Sequence, residues 1–230
     1  MDGYSNGILQ CNQMVSLTSQ IDKLPVHCIN ASNLQRYGAE INQNILESQL
    51  ISIDLEMSGL GDMQKKKGGS NDINVRYSAI KEATEEFGII SLGISCFKSN
   101  DMQSDTNICY SCNAYSFLIC SSEKISFNFK SANFLSSHDF DFNELFTNAI
   151  LYQPAFLPTN PEENPKKSIK DDEYQNEKLL NQFISNIFQN CKKICFHNGF
   201  IDMMFIYSHF FCRLPSNLNT FVQDITVLCG

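Results

Sequence analysis

The sequence predicts an α/β fold in one large domain, a mixed sheet flanked by helices, on three observations. In residues 49–57 the apolar Ile51, Ile53, Leu55 and Met57 alternate with Ser52, Asp54 and Glu56, the period of two that marks a strand with one buried face. Two more strand-like runs, 89–97 and 108–120, are separated by a polar stretch, as in an antiparallel hairpin with a longer loop. A long helical pattern at 171–189 then leads into a short apolar run at 192–197, and a strand reached through a helix favours a parallel crossover.

Composition narrows the classes. A chain of 230 residues can bury a full core, and with no Trp its 18 Phe must carry much of the aromatic packing. A net charge of −8 excludes a broad attractive field for nucleic acid, so a polyanion would have to be held by metal ions and a local basic patch. Ten Cys spread over the length, without a signal-peptide pattern at the start, suit reduced thiols in the cytoplasm or nucleus, and buried free thiols are expected for all ten. Of the two close pairs, Cys109 and Cys112 would point to opposite faces of a strand, and Cys191 and Cys195 lack a second pair to complete a zinc set. The longest apolar run, 200–212, is broken by Asp202, Ser208 and His209 and is too short to span a bilayer, so no membrane partner is expected.

Taken in order, residues 1–23 read as a disordered Gln/Asn/Ser-rich tail, and 24–29 as a short edge strand opened by Pro25. Asn30 to Asn33 supply caps for a helix to about Ser48 with Leu34, Tyr37, Ile41 and Ile45 on one face. After the Asp54/Glu56 strand, 63–71 form an exposed loop whose Lys65, Lys66 and Lys67 are ordinarily solvated but lie near the carboxylates, where they could meet phosphate. Residues 72–87 form a helix stopped by Gly88, with Ile73, Tyr77, Ile80 and Ala83 or Thr84 inward. Exposed loops are expected near 99–107 and 154–173, and two short helices at 131–137 and 141–150. The 171–189 helix turns Leu179, Leu180, Phe183, Ile187 and Phe188 inward, 192–197 make a buried strand, 200–211 a helix, and a last amphipathic segment starts near Asn217.

Two places could carry chemistry. Asp54 and Glu56 stand on one face of a strand, and like charges held together raise each other's pKa unless a cation lies between them, which makes a divalent metal the simplest explanation. Asp202, in the motif Phe196-His197-Asn198-Gly199-Phe200-Ile201-Asp202, is by itself a first-turn helix acid suited to the macrodipole, and His197 a strand-end residue. Beside Asp54-x-Glu56 at the end of another strand, both acids reach the same crevice of an α/β sheet.

These motifs, with 90–98 (Ile-Ser-Leu-Gly-Ile-Ser-Cys-Phe-Lys), Phe134-Leu135-x-x-His138-x-Phe140-x-Phe142-Asn143 and Leu214-Pro215-x-x-Leu218-x-Thr220-Phe221, resemble the DEDD exoribonucleases of the Caf-one and poly(A)-specific ribonuclease family, closest to the target-of-Egr branch, from about Leu24 to the end. The resemblance implies a ribonuclease H-like fold and a 3′-to-5′ exoribonuclease that removes adenosine-rich or short untemplated tails from RNA. It implies two divalent ions, Mg²⁺ or Mn²⁺, with Asp54 bridging both, Glu56 on the water-activating ion and Asp202 on the second. Met57, Ser58 and Leu60 would touch the terminal bases. Nuclear localisation is implied as well, and self-association is compatible with the family.

The chain departs from the family pattern at its end. The general-base His and fourth carboxylate belong to a later motif; His209 and Asp224, the downstream candidates, sit at the wrong places for those roles. The expectation is therefore the N-terminal part of a nuclease domain, over 24–230, without its C-terminal elements, zinc finger or basic nuclear signal. The competing expectations are a catalytically inactive RNA-binding or scaffold domain, and an inactive fragment of the nuclease.

Overall fold

A computed structural model describes residues 25–60, 71–100, 109–157, 171–190 and 193–229. Its centre is a mixed sheet of six strands. β1 (Val26–Ile29) opens the chain, α1 (Leu34–Glu47) follows, and β2 (Leu50–Met57) is succeeded by α2 (Ile73–Glu86). The hairpin of β3 (Ile89–Asn100) and β4 (Cys109–Ser121) leads through α3 (Phe129–Ser137) and α4 (Phe142–Asn148) to β5 (Ile150–Tyr152). Then come α5 (Asp171–Asn190), β6 (Ile194–Phe196), α6 (Phe200–Ile206) with a π-helical turn at Tyr207–Phe211, and α7 (Leu218–Leu228).

The strand order is β1-β4-β3-β2-β6, with β5 also beside β4. β2, β3 and β4 are the expected antiparallel meander, and β6 joins β2 in parallel through the α5 crossover. Ile51, Ile53 and Leu55 face one side, where Ile41 and Ile45 of α1 and Leu180, Phe183 and Ile187 of α5 cover them in the main core. On the other side Ile90 and Cys120 meet Leu135 of α3 and Leu145 of α4. A third cluster joins Tyr77 and Ile80 of α2 to Met204 and Tyr207 and to Leu218 and Phe221 of α7.

Several expectations are corrected. Ile73 is half exposed because α2 begins only there, capped by Asp72, so its first turn overhangs the core. Ile150 does not extend a helix; α4 stops at Asn148 and Ile150 pairs with Ile119 as the start of β5. The 192–197 strand is short and, among the described residues, flanked only by β2, which leaves Cys195 exposed instead of buried. Cys28, Cys212 and Cys229 are also exposed, so free thiols are not all core residues. The polar loop after β3 starts later than expected because the hairpin pairs through Asn100 and Cys109. Residues 171–173 already belong to α5, and Pro154 is buried. The tail 1–23 and the cores of the three expected loops, with Lys65, Lys66 and Lys67, lie outside the described residues. No helix among the described residues is long and apolar enough to cross a membrane.

Candidate functional site

The site is built where β2 ends. Alternation along β2 turns Asp54 outward, exposed, and leaves Glu56 half-buried on the same face. Asp54 lies opposite Gly93 of β3, where the missing side chain keeps the space beside its Cβ open. Immediately after Glu56 the register slips: Glu56 faces Ser91 but Met57 faces Ile89. Such a bulge bends the strand and re-aims the side chains beside it.

Ser58 fixes this bend. Its backbone N–H donates to the Gly88 carbonyl at 2.9 Å, its Oγ accepts the Gly88 N–H at 3.0 Å, and its carbonyl accepts the N–H of Asn128, the N-cap of α3, at 2.9 Å. Gly59 follows because nothing larger fits: a Cβ there would stand 2.5 Å from the Phe87 ring and 2.8 Å from Asn128 Cβ. The Ser-Gly of the motif thus locks the end of β2 to the start of β3 and to α3.

Asp202 arrives from the neighbouring strand. Ile53 pairs with Phe196, the last residue of β6, so Asp54 and the turn after β6 leave the sheet at adjacent, parallel strand ends. Asn198 takes a left-handed φ of 54°, which Asn tolerates, and Gly199 packs so tightly on Phe196 that a Cβ would lie 2.2 Å from that residue's own. This turn starts α6 with Asp202 in its first turn, buried at 9 % exposure.

The three acids act on one another. Burial, and then the negative charge of Asp54, push the Asp202 carboxyl up to about 6. Glu56 is also raised, by burial first and then by Asp54 and Asp202, while His138 pulls it down. The structure therefore brings Asp54, Glu56 and Asp202 within electrostatic reach on one side of the sheet. Among the described residues, no three His, Cys, Asp or Glu side chains are closed into a ready metal-binding cluster.

Beside the acids lies a cavity of about 300 Å³ lined by Glu56, Met57, Leu60, Lys130, Ser131, Phe134 and Leu135. Met57 and Leu60, two of the expected base contacts, line it. Ser58 does not: it has no exposed surface and its hydroxyl is spent on Gly88, so its role in the structure is to hold the wall. Sequence reasoning missed Lys130, and it missed Phe134 and His138 as site residues. Their spacing was the available signal, since i and i+4 of one helix share a face; the rings of Phe134 and His138 are 4.2 Å apart.

His209 and Asp224 stay out of the site. His209 is core: Nε2 donates to the Thr84 carbonyl at 3.0 Å, Nδ1 lies 3.1 Å from the Tyr152 hydroxyl, and burial lowers its pKa to about 4. Asp224 accepts a hydrogen bond from the Tyr207 hydroxyl at 2.9 Å.

Comparison with known proteins bears on the family and the fold. The model of the CAF1 family ribonuclease matches residues 29–181 and 158–229. The chain is similar to the poly(A)-specific ribonuclease PARN of Arabidopsis thaliana, 24% identical over 156 residues, 64% of this chain and 22% of that protein. It is 31% identical over 129 residues to PARN of Homo sapiens, covering 53% of this chain and 20% of the relative, so it spans only a minor part of their length. Among solved structures, the Mg²⁺- and Mn²⁺-bound form of S. pombe Pop2p superposes with a TM-score of 0.60 at 16% identity, over 88% of this chain and 70% of Pop2p. The fold is ribonuclease H-like.

Proposed function

The chain belongs to the CAF1 family of ribonucleases, and from that membership we propose that it is a metal-dependent 3′-to-5′ exoribonuclease acting on RNA with an adenosine-rich or untemplated 3′ tail. The observation that carries this reading is the set of three mutually repelling acids at the ends of adjacent strands, next to a cavity with an aromatic and a basic wall. Three carboxylates are the hard oxygen donors that Mg²⁺ and Mn²⁺ take, and the raised Glu56 and Asp202 mark a deficit of positive charge there. The donor set thus fits a divalent ion, and Asp54, Glu56 and Asp202 would hold it, two ions in the family pattern. Divalent ions held there would supply Lewis-acid chemistry, lowering the pKa of a water and stabilising a leaving oxygen of a phosphodiester.

The remaining work falls to the chain. Met57 and Leu60 on one wall and Phe134 on the other enclose the terminal base, the Met57 thioether offering a polarizable contact to its face. Lys130 on the α3 wall meets a backbone phosphate. The Ser58 anchor keeps Glu56 in register with that wall while substrate enters.

Incubating the protein with end-labelled oligo(A) RNA and Mg²⁺ or Mn²⁺ should release nucleotides from the 3′ end. Changing Asp54→Ala together with Glu56→Ala should abolish release. Trimming that survives the double change or a chelator would refute the assignment, and RNA binding without turnover would favour an inactive RNA-binding domain.

A further inference from the structure

His138 closes α3 in a defined way. Its N–H donates to the Leu135 carbonyl at 3.0 Å, Asp139 takes a left-handed φ of 61°, and the Phe140 N–H returns to the same Leu135 carbonyl at 3.1 Å. The Phe140 bond is the 6→1 bond of a Schellman closure, here with Asp where Gly is usual, and it holds the His138 backbone. The ring is held too: it packs on Phe134, and Nδ1 lies 2.8 Å from the Phe134 carbonyl. Ser137 Oγ lies 3.2 Å from Nδ1, but its own proton goes to the Phe134 carbonyl at 2.7 Å. Both neighbours of Nδ1 therefore act as acceptors, so Nδ1 carries the proton and, in the neutral ring, Nε2 is left an acceptor. The ring is exposed, within electrostatic reach of Glu56, and packed on the aromatic side chain that lines the cavity.

Resting on the exoribonuclease reading and deepening it, we infer that His138 is the residue that selects the terminal base: with the base seated against Phe134, Nε2 accepts a hydrogen bond from its exocyclic amino group. Adenine N6 and cytosine N4 present such a donor at that position of the ring, where guanine O6 and uracil O4 present an acceptor and meet Nε2 lone pair to lone pair. Stacking on Phe134 accepts any base, so the discrimination falls on the imidazole.

The test measures binding at pH 8, by fluorescence anisotropy, of an adenosine hexamer and of the same RNA ending in purine riboside or inosine, with Ca²⁺ in place of Mg²⁺ to slow hydrolysis. Purine riboside removes the amino group, and inosine replaces it with an oxygen. The wild-type protein should bind the adenosine end most tightly, purine riboside more weakly and inosine weakest, with about tenfold between first and last. His138→Phe keeps an aromatic ring on Phe134, should leave the melting temperature unchanged, and should reduce the tenfold preference to about one, with adenosine binding falling and inosine binding rising to the purine riboside level. A preference that survives His138→Phe overturns this inference and leaves the nuclease reading standing. Failure of the wild-type protein to bind any of the three RNAs overturns both.

Discussion

At the residue scale, the acids are arranged against stability. Asp202 is buried and carries a carboxyl raised to about 6, so its ionisation opposes folding above that pH, and the stability available when it is protonated is lost as pH rises through about 6. Asp202→Asn should therefore raise the melting temperature of metal-free protein at pH 7.5, by a few degrees for a gain of roughly 1–2 kcal/mol, while removing RNA trimming. Differential scanning calorimetry with and without Mg²⁺ checks it: the ion should stabilise the wild-type protein and not the Asn variant. Gly59→Ala belongs to the same scale, since the new methyl must displace Phe87 or Asn128. We expect a loss of about 1–3 kcal/mol in chemical denaturation, from overpacking. Asp54 and Glu56 were readable as candidates because carboxylates at i and i+2 of a strand share a face, whereas Asp202, by itself an ordinary first-turn helix acid, became one only beside that pair and through the family resemblance. Ser58 was misread as a base contact because nothing in the sequence says that its hydroxyl is needed by the Gly88 N–H thirty residues on.

At the scale of elements, legibility followed how much of each segment one face of the sheet controls. β2 could be read residue by residue because Ile51, Ile53 and Leu55 all answer to one core. β5 could not: three residues, Ile150 to Tyr152, follow directly on an amphipathic helix and look like its continuation. β6 misled in the other direction, because its apolar Ile-Cys-Phe suggests a buried strand although it lies at the end of the described sheet with Cys195 exposed. His209 shows how the α6 turn is tied to the sheet, through Tyr152 on β5 and Thr84 on α2. Its pKa is depressed to about 4 from an ordinary 6.5, so the stability it contributes is present above about 6.5 and is lost as pH falls towards about 4. Thermal melts of His209→Gln should show a shallower acid limb between those values than the wild type, at the cost of a lower plateau near neutrality.

For the whole molecule, charge sets the manner of binding. A chain of net charge −8 cannot gather RNA by its general field, and Lys130 is the cation that lines the cavity among the described residues. Affinity for oligo(A) should then depend weakly on salt, with a log–log slope of about −0.7 to −1.4, as for one or two phosphate contacts to a single strand. Titrations from low to moderate KCl measure this directly, and a steep slope would show that a larger basic surface takes part. The overall topology was legible as a meander plus a parallel crossover; the relation between the sheet and α3 was not, because it depends on contacts made at the chain's turns.

One of those contacts has a mechanical consequence. Since Ser58 ties the tip of β2, the junction before β3 and the cap of α3 at a single point, the floor that bears Glu56 and the wall that bears Phe134 cannot slide past each other near that end. Any widening needed to admit a nucleotide must be a swing about this pivot, largest at the far tip of α3, where His138 rides. On the exoribonuclease reading, the end of the pocket farthest from this pivot would face the base of an incoming strand, and the end nearest it would hold the acids.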